Sequence, residues 1–229
     1  MITAASNSRI KRLVQLNQKS KLRRTEDVFL AEGVKMFLEA PREQLQEVYV
    51  SESFLEKCSC REHLGEVGYE VVSDSVFSKI SDTCTPQGVL CVLKQFHYNI
   101  EEMLRDKAPL FLLLENIQDP GNLGTMLRTG EGAGVSGIIM SRDTVDLYNP
   151  KVIRSTMGSI YRVPFYYADD FAAAVHQVQQ AGVSVYAAHL RGNVGIIRQR
   201  PLQSRVGTQA LFLQFVISIE HLAKQIHTV

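Results

Sequence analysis

The chain has 229 residues, 45% of them hydrophobic and 21% charged, with a formal net charge of +1. That is ordinary for a soluble globular protein, with room for one large domain or two small ones around a real core, and no overall basicity announces nucleic acid. No apolar run approaches the ~20 residues of a membrane-spanning helix. The basic start lacks the apolar stretch of a signal peptide, so a cytoplasmic protein with no membrane partner is expected.

Charge is unevenly spread. Residues 1–24 carry seven Lys or Arg and no Asp or Glu. Over residues 5–19, Ile10, Leu13, Val14 and Leu16 fall close to one helical face, with basic residues around much of the rest. DVFLAEG then reads as a short strand and Val34–Leu38 as a second helix. Leu45–Ser51, Tyr69–Ser73 and Gly88–Lys94 read as strands, with a short helix over Ser73–Ile80. Together these make a small α/β domain, residues 1–96. The four cysteines are Cys58, Cys60, Cys84 and Cys91. A C-x-C with no second pair is a poor zinc signature, so no metal is expected, and scattered thiols suit a reducing compartment.

Residues 95–108 are mixed and polar and read as a linker. From Pro109 the texture changes. LFLLLE is a continuous apolar run, as expected of a parallel strand covered on both faces. A helix follows at about Leu123–Ala133, then a strand Gly137–Met140, a helix opened by Asn149–Pro150, the strand VPFYY, a helix Phe171–Ala181 and a strand Val183–Leu190. Alternating strands and helices imply a mostly parallel sheet with helices on both faces, residues 107–229.

Two segments carry candidate chemistry. In LFLLLENIQDPGNLGTMLRTGEGAG, a buried strand ends at Glu115 and a polar turn leads into a helix, and ligands of open α/β sheets bind at such carboxyl ends. Gly124 permits close approach to the first helical turn, and Arg128 lies six residues beyond Asn122. The plainer alternative is a capped βα turn with Arg128 as a solvated surface residue. No G-x-G-x-x-G is present, so a dinucleotide site has little support. In NPKVIRSTMGSIYRVP, Val152, Ile153, Met157 and Ile160 can face the core, while Lys151, Arg154 and Ser155 fall on other sides. A helix start with these residues suits phosphate or sugar oxygens, and an amphipathic helix with ordinary surface charge is the alternative.

Both segments resemble the first two motifs of the SpoU (TrmH-like) RNA 2′-O-ribose methyltransferases of the SPOUT superfamily. The first is matched by Asn116, Asp119, Pro120, Asn122, Gly124, Arg128 and Thr129. The second is matched by Asn149, Pro150, Lys151, Arg154, Ser155, Gly158 and Pro164. SNSRIKRLVQL, FLAEGVKMFLEA and TPQGVLCVL are similar to the substrate-binding domain that precedes the catalytic one in many such enzymes. The likeness spans about residues 4–190.

The resemblance implies an α/β fold: an N-terminal RNA-binding domain like the ribosomal L30e type, then a SPOUT-type parallel-sheet domain tucked into a trefoil knot. It implies a homodimer that uses S-adenosyl-L-methionine to methylate a ribose 2′-hydroxyl without a metal. Ribosomal RNA is preferred over transfer RNA because the two-domain arrangement resembles the ribosomal enzymes. Arg128, Asn122 and Ser155 are the implied catalytic residues, and His189, Leu190 and Gly192 the implied cofactor contacts. Arg9, Lys11, Arg12, Lys21, Arg23, Arg24, Lys151 and Arg154 are the candidates for gripping RNA, since phosphate contacts supply most non-specific affinity. The family casts the arginine matching Arg128 as a base. A guanidinium with pKa above ~12 is normally a donor only, so the reading here is that it binds phosphate and stabilises developing alkoxide charge.

The family's third motif, a Gly-Asn-Glu turn and then a Ser-Leu-Asn helix start, is not found. ALFLQFVISI reads as the strand leading into it, but neither sequence follows, and the chain is atypical from about residue 192, a pattern consistent with an incomplete knot. A divergent member without cofactor binding and a shifted reading frame near Gly192 both account for this, and the abruptness of the change favours the second. The competing functions are a non-catalytic RNA-binding protein on a degenerate methyltransferase fold and a small-molecule enzyme on a doubly wound sheet.

Overall fold

The computed structural model describes residues 1–58, 60–188 and 209–213. It opens with helices α1 (Ser8–Gln18) and α2 (Ser20–Glu26), then strand β1 (Val28–Glu32) and helix α3 (Val34–Glu39). Strand β2 (Leu45–Ser51), helices α4 (Glu52–Lys57) and α5 (Arg61–Val67), strand β3 (Glu70–Val72), helix α6 (Asp74–Ile80) and strand β4 (Val89–Lys94) follow. After the short helix α7 (Ile100–Met103) come β5 (Leu110–Leu114), α8 (Pro120–Gly132), β6 (Gly137–Ser141), α9 (Pro150–Thr156) and a 3-10 turn over Ser159–Tyr161. Strand β7 (Phe165–Ala168), helix α10 (Phe171–Gln180) and strands β8 (Ser184–Ala188) and β9 (Gln209–Leu213) complete the described residues, where no helix is long and apolar enough to cross a membrane.

Two compact units result. The first comprises residues 1–96, 120–128 and 146–162; the second comprises 97–119, 129–145 and 163 onward. In the first, the strand order is β1-β4-β2-β3, antiparallel except for the β2–β3 pair. The apolar stripe of α1 lies on this sheet: Ile10, Leu13 and Leu16 are buried with Leu30, Tyr49, Phe77 and Val92. Asn7 caps α1 by accepting from the Arg9 amide. The α1 run breaks at Lys19, whose backbone is extended, and α2 starts out of phase with it.

In the second unit the sheet is parallel throughout, in the order β7-β6-β5-β9-β8. Its core joins Phe111 and Leu113 of β5, Ile139 of β6 and Ala174, Val175 and Val178 of α10. Ile100 and Met103 enter the same core, so the stretch read as a linker holds a helical turn anchored by two apolar side chains. The ALFL part of the expected late strand falls in β9, whose backbone pairs with β5 on one side and β8 on the other. Chain succession runs from β5 to β6 and β7 on one side, while β9 and β8 lie on the other. The switch in direction therefore falls beside β5.

Helix α8 begins three residues earlier than the spacing predicts. Asp119 followed by Pro120 explains this, because an acidic cap residue and a proline at the first helical position both favour a start. Helix α9 ends earlier than the apolar period suggests. Met157 adopts a left-handed backbone (φ 52) and is 44% exposed, whereas Val152, Ile153 and Ile160 are buried.

Candidate active site

The carboxyl end of β5 is held by polar contacts within the second unit. Asn116 takes a left-handed backbone (φ 53), which asparagine tolerates better than most residues. Its amide donates to Ser141 Oγ at 2.8 Å, and its side-chain oxygen accepts from Gln118 Nε2 at 2.7 Å. The Ile117 carbonyl accepts from the Val145 amide at 2.8 Å, and the Val145 carbonyl accepts from the Tyr167 hydroxyl at 2.8 Å. The loops after β5 and β6 are thereby tied together at the edge where the parallel sheet reverses its winding, the place where open α/β sheets bind ligands. Leu114, Leu213 and Ala188 end β5, β9 and β8 in one register row. His189, Leu190 and Gly192 lie outside the described residues.

The motif residues Pro120 to Arg128 of α8, and those of α9, belong to the first unit. The close approach expected at Gly124 is made by Ser155 itself. The Ser155 hydroxyl donates to the carbonyls of Val152 (2.8 Å) and Pro120 (3.2 Å), which pins the first turn of α8 against α9. Asn122 and Arg128 are both exposed on α8. They sit about 9 Å apart along its axis and about 120° around it, so they share a helix and not a face. Asn149 caps α9 by accepting from the Lys151 amide at 2.9 Å, and Lys151 is exposed. Arg154 donates to the Asp82 carbonyl at 3.1 Å and reaches its carboxylate at 3.4 Å. That turn is braced by Glu32, whose carboxylate accepts from the hydroxyls of Ser81 and Thr83.

The N-terminal basic residues divide into two groups. Lys11, Lys21 and Arg24 are exposed. Arg9 pairs with Glu70, and Arg12 with Glu26 and Glu47. Arg23 is 3% exposed. Its guanidinium donates to the Leu16 carbonyl and to Asp146 Oδ2 at 2.6 Å, so its charge does not face solvent. The phase change between α1 and α2 turns it inward, which a count of basic residues cannot register. Among the described residues no group of three or more His, Cys, Asp and Glu is arranged to hold a metal ion.

A model of the SpoU rRNA methylase family matches residues 109–206, and a model of the MRM3-like substrate-binding domain matches residues 7–91. The 23S rRNA (guanosine(2553)-2′-O)-methyltransferase RlmP of Bacillus subtilis is 32% identical over 193 residues, 83% of this chain and 73% of RlmP. The chain belongs to the SpoU rRNA methylase family. Human mitochondrial rRNA methyltransferase 3 is 41% identical over 88 residues, 37% of this chain, and the match spans 21% of that longer relative. The family likeness extends to three dimensions. A crystal structure of an rRNA methyltransferase from Sinorhizobium meliloti superposes with a TM-score of 0.80 at 26% identity, covering 98% of this chain and 85% of that one. This SpoU chain therefore has the SPOUT methyltransferase fold.

Proposed function

We propose that this SpoU family member transfers a methyl group from S-adenosyl-L-methionine to a ribose 2′-hydroxyl of ribosomal RNA. The observation that carries the reading is the topology: the first family motif leaves the carboxyl end of β5, beside the switch point of the parallel sheet. RlmP, which the chain matches over most of both lengths, bears the same chemistry in its name.

We place the cofactor at that edge, because open α/β sheets bind ligands at the carboxyl ends of their strands beside the switch point. When bound, S-adenosyl-L-methionine supplies an activated sulfonium methyl. Arg128 is exposed and has no ion-pair or hydrogen-bond partner among the described residues, so its guanidinium is available to hold an RNA phosphate and stabilise negative charge developing on the ribose oxygen. Asn122 orients the ribose. Ser155 acts by holding the first turn of α8 in place. Residues 1–96 serve as the RNA-binding domain and 107–229 as the methyltransferase domain. Lys11, Lys21, Arg24 and Lys151 carry the electrostatic grip. Arg154 joins it by exchanging the Asp82 carboxylate for phosphate, while Arg9 and Arg12, held beside Glu70, Glu26 and Glu47, meet RNA without taking a phosphate. We further propose a cytoplasmic homodimer with a trefoil knot, and cofactor contacts from His189, Leu190 and Gly192.

The test is transfer of labelled methyl groups from S-adenosyl-L-methionine to ribosomal RNA, with ribose-methylation maps from cells with and without the gene. An unchanged map together with no transfer in vitro refutes the reading. One observation favours a non-catalytic RNA-binding protein instead: residues 193–229 contain neither Gly-Asn-Glu nor Ser-Leu-Asn. Calorimetry with the cofactor separates the two, since only the enzyme gives heat of binding. Sequencing the gene across codons 185–229 decides whether an intact third motif lies in another frame.

A further inference from the structure

An open cleft of about 400 Å³ lies in the first unit, where the beginnings of β2 and β3 meet the outer side of α1. The strands are in parallel register there, with Tyr49 opposite Glu70. The floor is a closed network. Tyr49 is buried, and its phenol donates to Glu47 Oε2. Burial first, and the contact with Glu47 second, push the Tyr49 phenol well above its ordinary range, which keeps it a neutral donor. Arg12 donates to the other oxygen of Glu47 at 2.8 Å and to Glu26 at 2.7 Å. These groups satisfy one another and leave little for a ligand.

The mouth is different. Arg9 Nη1 meets Glu70 Oε1 at 2.6 Å, but the two side chains are 57% and 46% exposed. A pair so exposed is screened by solvent and weakly held, so a ligand can displace it. Tyr69 lines the same cleft and is 40% exposed. A flat apolar face, a carboxylate and a guanidinium thus stand together. Phosphate does not match this lining, because Glu47 and Glu70 oppose an anion. A nucleobase does, since unpaired bases are read by aromatic stacking and by hydrogen bonds along their edges. Of the bases, guanine places two adjacent N–H donors beside a carbonyl oxygen. A carboxylate takes the donors, and arginine is the usual partner of guanine O6 and N7. Adenine has no such pair of donors on that edge.

We propose that this cleft binds an unpaired guanine nucleotide of the RNA, with the base on Tyr69, its N1–H and N2–H on Glu70 and its O6 toward Arg9. This rests on the reading of the chain as an RNA enzyme, and it adds a base-reading site on the N-terminal domain.

The experiment titrates the full chain with GMP, AMP and inorganic phosphate, following chemical shifts of the cleft residues, and assays methyl transfer to ribosomal RNA on the same preparation. GMP is expected to bind about tenfold more tightly than AMP. Phosphate is expected to bind no more tightly than AMP. Glu70→Gln and Tyr69→Ala are each expected to weaken GMP about tenfold with unchanged melting curves, while Tyr69→Phe retains binding. Should Tyr69→Ala fail to fold, Glu70→Gln and Tyr69→Phe carry the comparison. Equal affinity for GMP and AMP, tighter binding of phosphate, or no GMP binding at millimolar concentration each overturns the proposal. Methyl transfer in a chain that ignores GMP removes the cleft and leaves the enzyme. Absent transfer with specific GMP binding does the reverse.

Discussion

A methyl group on Gly124 would overlap the Ser155 hydroxyl and come within 2.7 Å of its Cβ and 2.9 Å of its backbone carbonyl carbon. Two family motifs distant in sequence are thus in van der Waals contact at a position where only glycine fits.

Two opposed terms decide what Gly124→Ala does. Alanine is favoured over glycine inside a helix by about 1 kcal/mol. Forcing an extra methyl into a packed contact costs about 1–3 kcal/mol, and here the obstacle includes main chain, which cannot swing away. Gly124→Ala is therefore expected to be net destabilising in urea denaturation. Gly132, on the same helix, has nothing within 4 Å of its would-be Cβ. Gly132→Ala should be neutral or stabilising. The same sign for both variants would refute the contact.

Arg23 offers a second contrast. It is nearly fully buried, bound to Asp146 and to backbone carbonyls, and its Nε has no partner among the described residues. Removing one member of a fully buried pair costs about 3–5 kcal/mol, and because Asp146 is 30% exposed this pair belongs at the low end of that range. Arg23→Ala should approach that loss, and Arg24→Ala, on the exposed side of the same helix, should leave the denaturation midpoint almost unchanged. Equal midpoints for the two variants would show that Arg23 is not structural.

The strands were legible because their signal is local. β5 is an unbroken apolar run, and β4 and β6 are nearly so. Asn149-Pro150 marked the start of α9 for the same reason. The helices α4 and α5 went unread, because each is only 6 or 7 residues long and buries at most Leu64. Strand order was not legible at all, since the pairing of β4 between β1 and β2 joins residues far apart in sequence. The motifs located the candidate site, but the duties of individual side chains needed the fold. Ser155 reads as a catalytic hydroxyl in sequence, yet in space it bonds to two backbone carbonyls.

Stability should also depend on alkaline pH. Cys91 lies wholly inside the first unit, and burial pushes its thiol far above the ordinary value of 9.0. Below pH 9 the thiol is protonated in both folded and unfolded chains, and the contribution is fully present. Above it the unfolded chain loses a proton that the folded chain keeps, so stability falls as pH rises, by about 1.4 kcal/mol per pH unit for one such group. Burial also raises the Tyr98 and Tyr161 phenols above 10.0, adding to the slope at higher pH. Urea titrations between pH 8 and 10 should show a shallower decline for Cys91→Ala than for the wild type, even though the variant starts lower because of the cavity. Parallel declines would mean that Cys91 ionises normally in the folded protein.

Binding and chemistry should separate by variant and by salt. Arg128 is one exposed cation on α8, while Lys11, Lys21 and Arg24 form an exposed basic set at the N-terminus. Arg128→Ala is expected to abolish methyl transfer, because the guanidinium stabilises charge that develops during the reaction, and to lower RNA affinity by no more than the one phosphate contact it makes. Lys11, Lys21 and Arg24 changed together to alanine should instead weaken RNA binding. Each lost phosphate contact should flatten the plot of log affinity against log salt by about 0.7–0.9. Near-normal turnover at saturating RNA is expected in that triple variant. Retained turnover in Arg128→Ala would remove it from the chemistry, and an unchanged salt slope in the triple variant would move the RNA grip elsewhere on the chain.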